Sequence, residues 1–269
     1  MRHAWLIIAH NQFGILQQLV SMLDDERSDF FIHIDKKVKD LPHVHAEHGH
    51  VYVLSDRIDV RWGTFTQIQA EMALLSVAIE KYAYDYFHII SGTTLPLKSV
   101  DELDAYFSKL VGTSVLSGIC KDSPYQETLK LHRYNLFTRN YTSNKTFLRK
   151  TSQFLWKSVI AIQRLFNIQI NRDGVFYKAS NWVSLSRDAV QYLLSRKDAI
   201  KKTYRYSFCG DEYFVPSELM SSAQFKDCIV NDEYYLKHHI GRSNAETLKM
   251  EDFPALLQSK YLFARKFAA

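Results

Sequence analysis

Two adjacent carboxylates stand in the segment Phe208-Cys209-Gly210-Asp211-Glu212-Tyr213, between a glycine and an aromatic residue. A carboxylate in such a setting can bind a metal ion, hold a sugar hydroxyl or act as a general base toward an attacking hydroxyl. An isolated Asp-Glu dipeptide is more often part of a solvated loop, so its role depends on the rest of the chain. We take the Asp211-Glu212 pair as a candidate general base or ligand-binding site.

The elements that position this pair follow an alternating pattern. Apolar runs and segments of helical spacing alternate through the first hundred residues, which is typical of βαβ units. The sequence predicts four strands here, over Ala4–Ala9, Asp29–Ile34, Val51–Leu54 and Tyr86–Ile90, and two helices, over Gly14–Asp24 and Thr66–Tyr82. It further predicts a helix over Asp101–Lys109, a strand over Ser114–Ile119 and a helix within 253–267 that ends in paired cations.

Polar and small residues follow several of these strands. In open α/β sheets the ligand lies outside the carboxyl ends of the strands, so we expect a binding rim there. Glycine also lets the backbone approach a ligand closely. The rim residues are His10-Asn11 after the first strand, Asp35 after the second, Arg61-Trp62-Gly63 before the second helix, and Ser91-Gly92-Thr93-Thr94 after the fourth strand.

The second half of the chain carries three further candidate segments. Residues 121–141 are polar, aromatic and irregular, which favours an acceptor-binding excursion. Trp182 precedes a predicted strand-to-helix transition with Ser186 as the N-cap; its ring could be a sugar platform or a core residue. The cations Arg265 and Lys266 could neutralise a diphosphate or could simply decorate the surface.

Residues 145–172 predict a basic amphipathic helix, in which apolar residues are interleaved with Lys and Arg. Packing against the core and contact with a membrane surface are both compatible with this pattern. No apolar run reaches the roughly 20 residues that a membrane span needs. The segment therefore predicts at most a peripheral membrane contact.

Composition limits the class of protein. With 269 residues, 46% hydrophobic and 14% aromatic, the chain can bury an ample core. Its formal charge of +5 favours an anionic ligand or surface. The three cysteines are widely scattered, which indicates a reducing compartment and no zinc site or disulfide framework. Four irregularly spaced histidines, His43, His45, His48 and His50, read as a solvated segment and not as a metal site.

Taken together, these segments resemble the core-2/I-branching β-1,6-N-acetylglucosaminyltransferase family, glycosyltransferase family 14, whose relatives include protein O-xylosyltransferases. The resemblance runs nearly from end to end. It rests on the order and spacing of Ala9-His10-Asn11, His33-Ile34-Asp35-Lys36-Lys37, Trp62-Gly63, Gln69-Ala70-Glu71, Ser91-Gly92, Leu95-Pro96-Leu97-Lys98, Ser180-Asn181-Trp182, Asp211-Glu212, Glu251-Asp252-Phe253 and Phe263-Ala264-Arg265-Lys266-Phe267.

The resemblance implies a GT-A-type, Rossmann-like α/β fold: a mixed, mostly parallel sheet flanked by helices. It implies one catalytic domain over 1–269, with a nucleotide-sugar-binding half over 1–110 and an acceptor-binding and catalytic half over 111–269. It assigns Glu212 as the catalytic base of an inverting displacement. The implied donor-binding residues are Ala9, His10, Asp35, Arg61, Trp62, Ser91, Gly92, Arg242, Arg265 and Lys266. The implied acceptor-binding residues are Glu127, Arg133, Trp182 and Asp211.

The resemblance also implies that no divalent metal or other cofactor is required. Most GT-A enzymes hold UDP through a metal on an Asp-x-Asp motif, and none stands at the expected strand end here. Family members use basic residues instead, and preorganised cations can stabilise the charge of leaving UDP as a metal would. Many relatives carry an acid within the Ser-Gly turn where this chain has Thr94.

The expected activity is the transfer of N-acetylglucosamine from its UDP derivative to a hydroxyl of a glycan or lipid-linked oligosaccharide. UDP-xylose or another UDP-sugar is the alternative donor. A basic nucleic-acid- or membrane-binding module without catalysis is the alternative of another class. No nucleic-acid partner is expected, because RNP, KH and helix-turn-helix signatures are absent from the sequence. Without paired cysteines, a signal anchor or a stem, the chain is expected to be bacterial, to lie at the cytoplasmic membrane face and to serve surface-polysaccharide synthesis.

Overall fold

A computed structural model describes residues 1–237 and 247–268, which fold around a seven-stranded sheet and a small three-stranded sheet. The strands are β1 His3–Ala9, β2 Ser28–Ile34, β3 Val51–Val53, β4 Tyr86–Ser91, β5 Leu95–Pro96, β6 Ser114–Leu116, β7 Val183–Ser186, β8 Ile229–Asn231, β9 Leu236–Lys237 and β10 Phe263–Ala264. The helices are α1 Phe13–Leu23, α2 Thr66–Lys81, α3 Val100–Ser108, α4 Pro124–Leu131, α5 Thr146–Leu165, α6 Arg187–Ser195, α7 Lys197–Tyr204, α8 Phe214–Met220 and α9 Phe253–Leu257.

The large sheet runs in the order β3-β2-β1-β4-β7-β6-β8. All neighbouring pairs are parallel except those of β7, which is antiparallel to β4 and to β6. The chain leaves β1 toward β2 on one side and later returns to β4 on the other side. The order therefore reverses between β1 and β4, and ligands of open α/β sheets bind outside the carboxyl ends of the strands at such a point. Strands from both halves of the chain build this sheet.

Burial explains why the central strands read as apolar runs. Every residue of β1, β2 and β4 is buried, because helices or loops cover both faces of the sheet. Aromatic side chains dominate this core: Trp5, Phe30, Phe31, Tyr86 and Phe87 are almost fully buried. No helix within residues 1–237 and 247–268 is long and apolar enough to cross a membrane.

The predicted mixed, mostly parallel α/β class is confirmed, and the elements of the first hundred residues lie close to their predicted bounds. The architecture is consistent with a GT-A-type fold. Ser186 is the N-cap of α6, as predicted: its side chain accepts a hydrogen bond from the amide of Ala189. The irregular excursion contains α4, and the basic helix ends earlier than predicted, at Leu165.

The prediction of a helix carrying the paired cations near the C-terminus is wrong. Helix α9 ends at Leu257, and Phe263 and Ala264 form β10 instead. Strand β10 pairs antiparallel with β5 and parallel with β9, so its backbone groups bond to neighbouring strands. This pairing with distant strands outweighs the local helical spacing.

Candidate active site

The ends of three neighbouring strands bring the first predicted rim residues together. Strand β1 lies between β2 and β4, with Ala9 opposite Ile34 and Ile8 opposite Ser91. The ladder continues past the strands: the amide of Asp35 donates to the carbonyl of Ala9, and that of Gly92 to the carbonyl of Ile8, both at 2.9 Å. His10, Asp35 and Ser91-Gly92 therefore lie together at the carboxyl ends of β1, β2 and β4.

Gly92 is required here by close packing. A Cβ atom at this position would lie 2.7 Å from the Cβ of Ala9. Any side chain would therefore push the turn after β4 away from β1. The small side chain of Ala9 and the absence of one at Gly92 allow this close approach.

Asp35 is the buried acid of this rim. Its carboxylate accepts hydrogen bonds from the Lys37 backbone amide at 2.8 Å and from the Lys37 ammonium at 2.6 Å. The same ammonium reaches Asp59, which also pairs with Arg61. Burial works against ionisation of Asp59, but hydrogen bonds from Arg61 and Lys37 lower its pKa. Arg61 is thus held at the rim by an ion network that begins at Asp35.

The pKa of His10 is affected by charges after β2 and by a cation near the C-terminus. Its pKa is lowered, mainly by desolvation, with Lys37 and Lys266 adding to the effect and Asp35 opposing it. Lys266 in the C-terminal segment is thus one of the charges that lower the pKa of His10.

Strand β10 is what delivers Arg265 and Lys266. It runs beside β5, with Ala264 opposite Leu95, and the amide of Phe267 donates to the carbonyl of Thr93 at 2.9 Å. Arg265 and Lys266 therefore pass directly alongside the turn that follows β4. Burial, together with the charge of Arg265, lowers the pKa of Lys266.

Arg265 packs on Trp182. Its guanidinium carbon lies 4.7 Å from the centroid of the indole ring, within the range of a cation–π contact. Burial lowers the pKa of Arg265 to about 10. In the described part of the chain, Arg265 Nε and Trp182 Nε1 are both shielded from solvent without a hydrogen-bond partner. Two buried donors of this kind at a rim are available to a polar ligand.

The antiparallel direction of β7 explains the place of Trp182. Val183 at the start of β7 lies opposite Ile89 near the end of β4. The residues just before β7 therefore lie at the same edge of the sheet as the carboxyl ends of the parallel strands. Trp182 is mostly buried, as expected of a core ring, and it lies at the rim; its role as a sugar platform stays a prediction.

The segment that carries the two acids is fixed by its backbone. The amide of Cys209 donates to the carbonyl of Gly63, and that of Ala179 to the carbonyl of Glu212, both at 2.9 Å. Gly63 has a positive φ of 72°, and a Cβ there would lie 2.9 Å from the ring of Phe208. The Trp62-Gly63 turn thus packs directly on the acid-bearing segment, whose residues Gly210–Glu212 form a 3-10 turn.

Glu212 pairs with Lys178, a residue that sequence reasoning missed. The ammonium lies 3.3 Å from Glu212 Oε2, and both side chains are partly open to solvent. Burial opposes the charge of Lys178, but the nearby carboxylate of Glu212 raises its pKa. A lone lysine after Tyr177 carries no motif, so only the tertiary structure reveals this contact.

Asp211 faces a second, buried acid. Glu71 on α2 is fully buried, and burial together with the charge of Asp211 raises its pKa well above the ordinary range. Burial and the adjacent charge of Glu212 raise the pKa of Asp211 to about 7. Asn181 donates to Asp211 at 3.4 Å, which joins the acid-bearing segment to the residue before Trp182.

We expect the free energy of unfolding to depend on pH through Asp211. An unfolded Asp loses its proton near pH 4, whereas the folded one holds it until about pH 7. The native state therefore binds more protons between these values, so this contribution to stability falls as the pH rises through that window. Relative to wild type, Asp211→Asn should raise the free energy of unfolding more at pH 8 than at pH 5. The difference between the two pH values should be on the order of a few kcal/mol.

Urea unfolding of both proteins at the two pH values measures this difference. Asp227→Asn, at an exposed position, is the matched control and should behave alike at pH 5 and pH 8. An equal effect of Asp211→Asn on the free energy of unfolding at both pH values would contradict a raised pKa for Asp211.

Other predicted site residues occupy different surroundings. Trp62 is 54% exposed and stands over Phe208 with 5.4 Å between ring centroids, in an edge-to-face arrangement. Glu127 on α4 pairs with His132 at 3.4 Å. Arg133 is buried and donates to the carbonyls of Gln163 and Ile168 at the end of α5.

The contacts of Arg133 differ from the expectation of an acceptor-binding side chain. Its guanidinium donates to backbone carbonyls in the last turn of α5 and in the loop that follows, so it joins these two parts of the chain. Any contact with a ligand would have to replace those bonds.

Arg242 lies outside the described residues. Among residues 1–237 and 247–268, no cluster of three or more His, Cys, Asp or Glu side chains could hold a metal ion.

The chain is similar to known proteins over most of its length. The family model described as Core-2/I-Branching enzyme matches residues 3–252. Xylosyltransferase 2 of Canis lupus familiaris is 21% identical over 243 residues, covering 86% of this chain and 26% of that protein. The Homo sapiens protein of the same name has the same identity and coverage. For the Bos taurus protein of that name the identity is 21% over 296 aligned positions, covering 100% of this chain and 32% of that protein. The chain thus spans about a quarter to a third of the length of these relatives.

Proposed function

Because the chain belongs to the Core-2/I-Branching enzyme family, we propose that it is an inverting glycosyltransferase that moves a sugar from a UDP-sugar to a hydroxyl of a glycan. One observation carries this proposal. The acid-bearing segment and the paired cations meet at a single rim, where Asn181 contacts Asp211 and the neighbouring Trp182 stacks on Arg265. A base and an anion-binding group on one rim match the needs of sugar transfer from a nucleotide.

In the proposed reaction, Glu212 accepts the proton of the acceptor hydroxyl while that oxygen forms a bond to the anomeric carbon of the donor. The bond from this carbon to the phosphate oxygen breaks on the opposite face, and UDP leaves with the electron pair. Attack opposite the leaving group inverts the anomeric configuration. Lys178 stands beside Glu212 and would orient its carboxylate.

Leaving UDP gains negative charge, and we assign its stabilisation to Arg265 and Lys266. Preorganised cations lower the energy of such a charge without rearrangement during the reaction. Desolvation of both cations is reflected in their lowered pKa values, and partial removal from water strengthens their attraction to phosphate. We therefore propose that no divalent metal is required.

For the donor we propose UDP-N-acetylglucosamine, with UDP-xylose as the second candidate. The first follows from the resemblance to branching enzymes, and the second is supported by relatives named Xylosyltransferase 2. Asp35 at the end of β2 would bind the nucleoside, together with His10, Arg61 and Trp62. Ser91 and Gly92 would line the donor crevice.

A panel of nucleotide sugars, scored by release of UDP, tests the activity and names the donor. We expect release from one UDP-sugar above all others, and similar rates in EDTA and in Mn²⁺. No release from any UDP-sugar, with or without a glycan acceptor, would contradict the proposal. Full loss in EDTA that Mn²⁺ restores would keep the transferase but contradict its independence of metal.

We also propose that the protein works in a reducing compartment, at the inner face of a bacterial cell membrane, on surface-polysaccharide precursors. All three cysteines are free, which supports a compartment where thiols stay reduced. The acceptor would be a glycan or lipid-linked oligosaccharide, bound near Asp211 and Trp182. Glu127 is the further acceptor contact, since its carboxylate is partly exposed.

A further inference from the structure

Helix α5 presents an apolar surface that nothing in the described structure covers. Phe147 is 78% exposed, Phe154 69% and Leu165 78%. Residues seven apart lie almost on one line of an α-helix, since two turns contain 7.2 residues. The exposed face therefore consists of parallel rows: Phe147 and Phe154; Leu148, Leu155 and Ile162; and the cations Lys150, Lys157 and Arg164.

The opposite face of α5 anchors it to the protein. Trp156 and Ile160 are buried, and the indole nitrogen of Trp156 donates to Asn135 at 2.9 Å. Ser152 donates to the carbonyl of Phe137. The helix is therefore held by a narrow buried seam, and its exposed phenylalanines play no part in the core.

The charge of α5 itself has one sign. The helix contains no Asp or Glu and four cations, Arg149, Lys150, Lys157 and Arg164, and the last three form one exposed row. Large exposed apolar patches rimmed by polar residues mark interaction sites. A partner for this one must accept aromatic and aliphatic groups and carry negative charge beside them.

We propose that α5 lies in the headgroup region of an anionic lipid bilayer, with its Phe and Leu rows turned toward the acyl chains and its Lys/Arg row on the phosphates. A helix with one apolar face and Lys or Arg along the polar edge binds membranes in this manner. The four cations of the helix and its protein-facing seam place it along the surface and not across the bilayer.

Charge disfavours a second copy of this chain as the occupant. In a two-fold dimer through α5, the Lys150, Lys157 and Arg164 row of one copy would meet the same row or its neighbour on the other. Like charges would then approach with no acid on the helix to separate them. Anionic lipid supplies the opposite charge along the whole row.

The position of α5 connects this surface to the acceptor side of the site. Trp156 lies 5.7 Å from Phe208 between ring centroids, and Tyr141 contacts both rings. Phe208 opens the segment that carries Glu212. A bilayer on the outer face of α5 is thus separated from this aromatic cluster by about one helix diameter, ~10 Å. This deepens the proposed function, on which it rests: the acceptor is a membrane-bound glycan that Glu212 meets near the lipid surface.

Co-sedimentation with vesicles tests the proposal. Wild type should bind vesicles of phosphatidylcholine with 30% phosphatidylglycerol, and binding should weaken in high salt and with phosphatidylcholine alone. Lys150→Gln with Lys157→Gln should lower partitioning about twenty-five-fold, at about fivefold for each cation. Phe147→Ser with Phe154→Ser should lower it by about a hundredfold, since each exposed ring contributes about tenfold.

Matched controls lie on other faces. Val111→Ser removes an apolar side chain that is 69% exposed, and Lys201→Gln with Lys202→Gln removes two exposed cations of α7. Both should bind as wild type does, and thermal unfolding verifies that all variants fold. Absence of vesicle binding by wild type, or equal losses in the controls, would overturn the proposal. Self-association abolished by Phe147→Ser with Phe154→Ser, without vesicle binding, would instead assign the face to a second copy.

These readouts separate the surface from the catalytic proposal. Vesicle binding needs no donor, and UDP release with a soluble acceptor needs no vesicle. Vesicle binding without UDP release from any nucleotide sugar would support the membrane surface and contradict the transferase proposal. UDP release without vesicle binding would support the transferase and contradict the membrane surface.

Discussion

Replacing Glu212 with Gln is expected to lower turnover about a hundredfold or more while UDP affinity stays close to that of wild type. An amide keeps the size of the side chain and its polar contacts but cannot accept the proton of the acceptor hydroxyl. The backbone of Glu212 is held by Ala179, so the segment should keep its shape. Initial rates at saturating donor and acceptor, with calorimetric titration of UDP, separate chemistry from binding.

Glu218→Gln is the matched control, because Glu218 pairs with Arg196 at 2.7 Å, a surface contact outside the proposed site. It should leave turnover unchanged. Lys178→Gln is more informative as a second variant. Removal of the cation beside Glu212 should change the dependence of turnover on pH, whereas a purely structural lysine would leave that profile unmoved. Unchanged turnover in Glu212→Gln would remove the residue from the role of base.

Replacing Lys266 with Ala is expected to weaken UDP binding by about ten- to a hundredfold, the effect of losing one hydrogen bond from a charged donor. Lys266 is exposed and follows the short strand β10, which runs beside β5. Its removal should therefore disturb the fold little. Calorimetry with UDP gives the affinity directly, without dependence on the acceptor.

Lys260→Ala supplies the comparison for Lys266. This cation lies on the same terminal segment but stacks on Tyr234, 5.6 Å from the ring centroid. The Lys260→Ala variant should bind UDP as wild type does. Equal affinity in Lys266→Ala and wild type would exclude Lys266 from the diphosphate site and would leave Arg265 as the sole cation of the pair to test.

The sequence was informative wherever local pattern and tertiary environment agree. The strands β1, β2 and β4 are buried on both faces, so their apolar runs could be recognised without knowing their neighbours. Strand β10 could not be recognised in the same way. It contains only Phe263 and Ala264, and it exists because two strands from distant parts of the chain pair with it.

Parts of the candidate site were hidden for the same reason. Glu71 belongs to a helix in which acids are ordinary, and nothing local indicates that its side chain is buried toward Asp211. The pairing of Lys178 with Glu212 joins residues more than thirty positions apart. Acids, lysines and arginines are recognised by type from the sequence, but their partners are set by topology.

The dipeptide Asn181-Trp182 constrains how this protein can diversify. Asn181 contacts Asp211 and Trp182 packs on Arg265, so in the proposed reaction the base side and the diphosphate side would share a single short piece of backbone. A relative that evolves to use a new donor sugar or a new acceptor would have to keep the contacts of Asn181 and Trp182. Variation in specificity is therefore expected in the surrounding loops, and protein engineers retuning the enzyme should begin there.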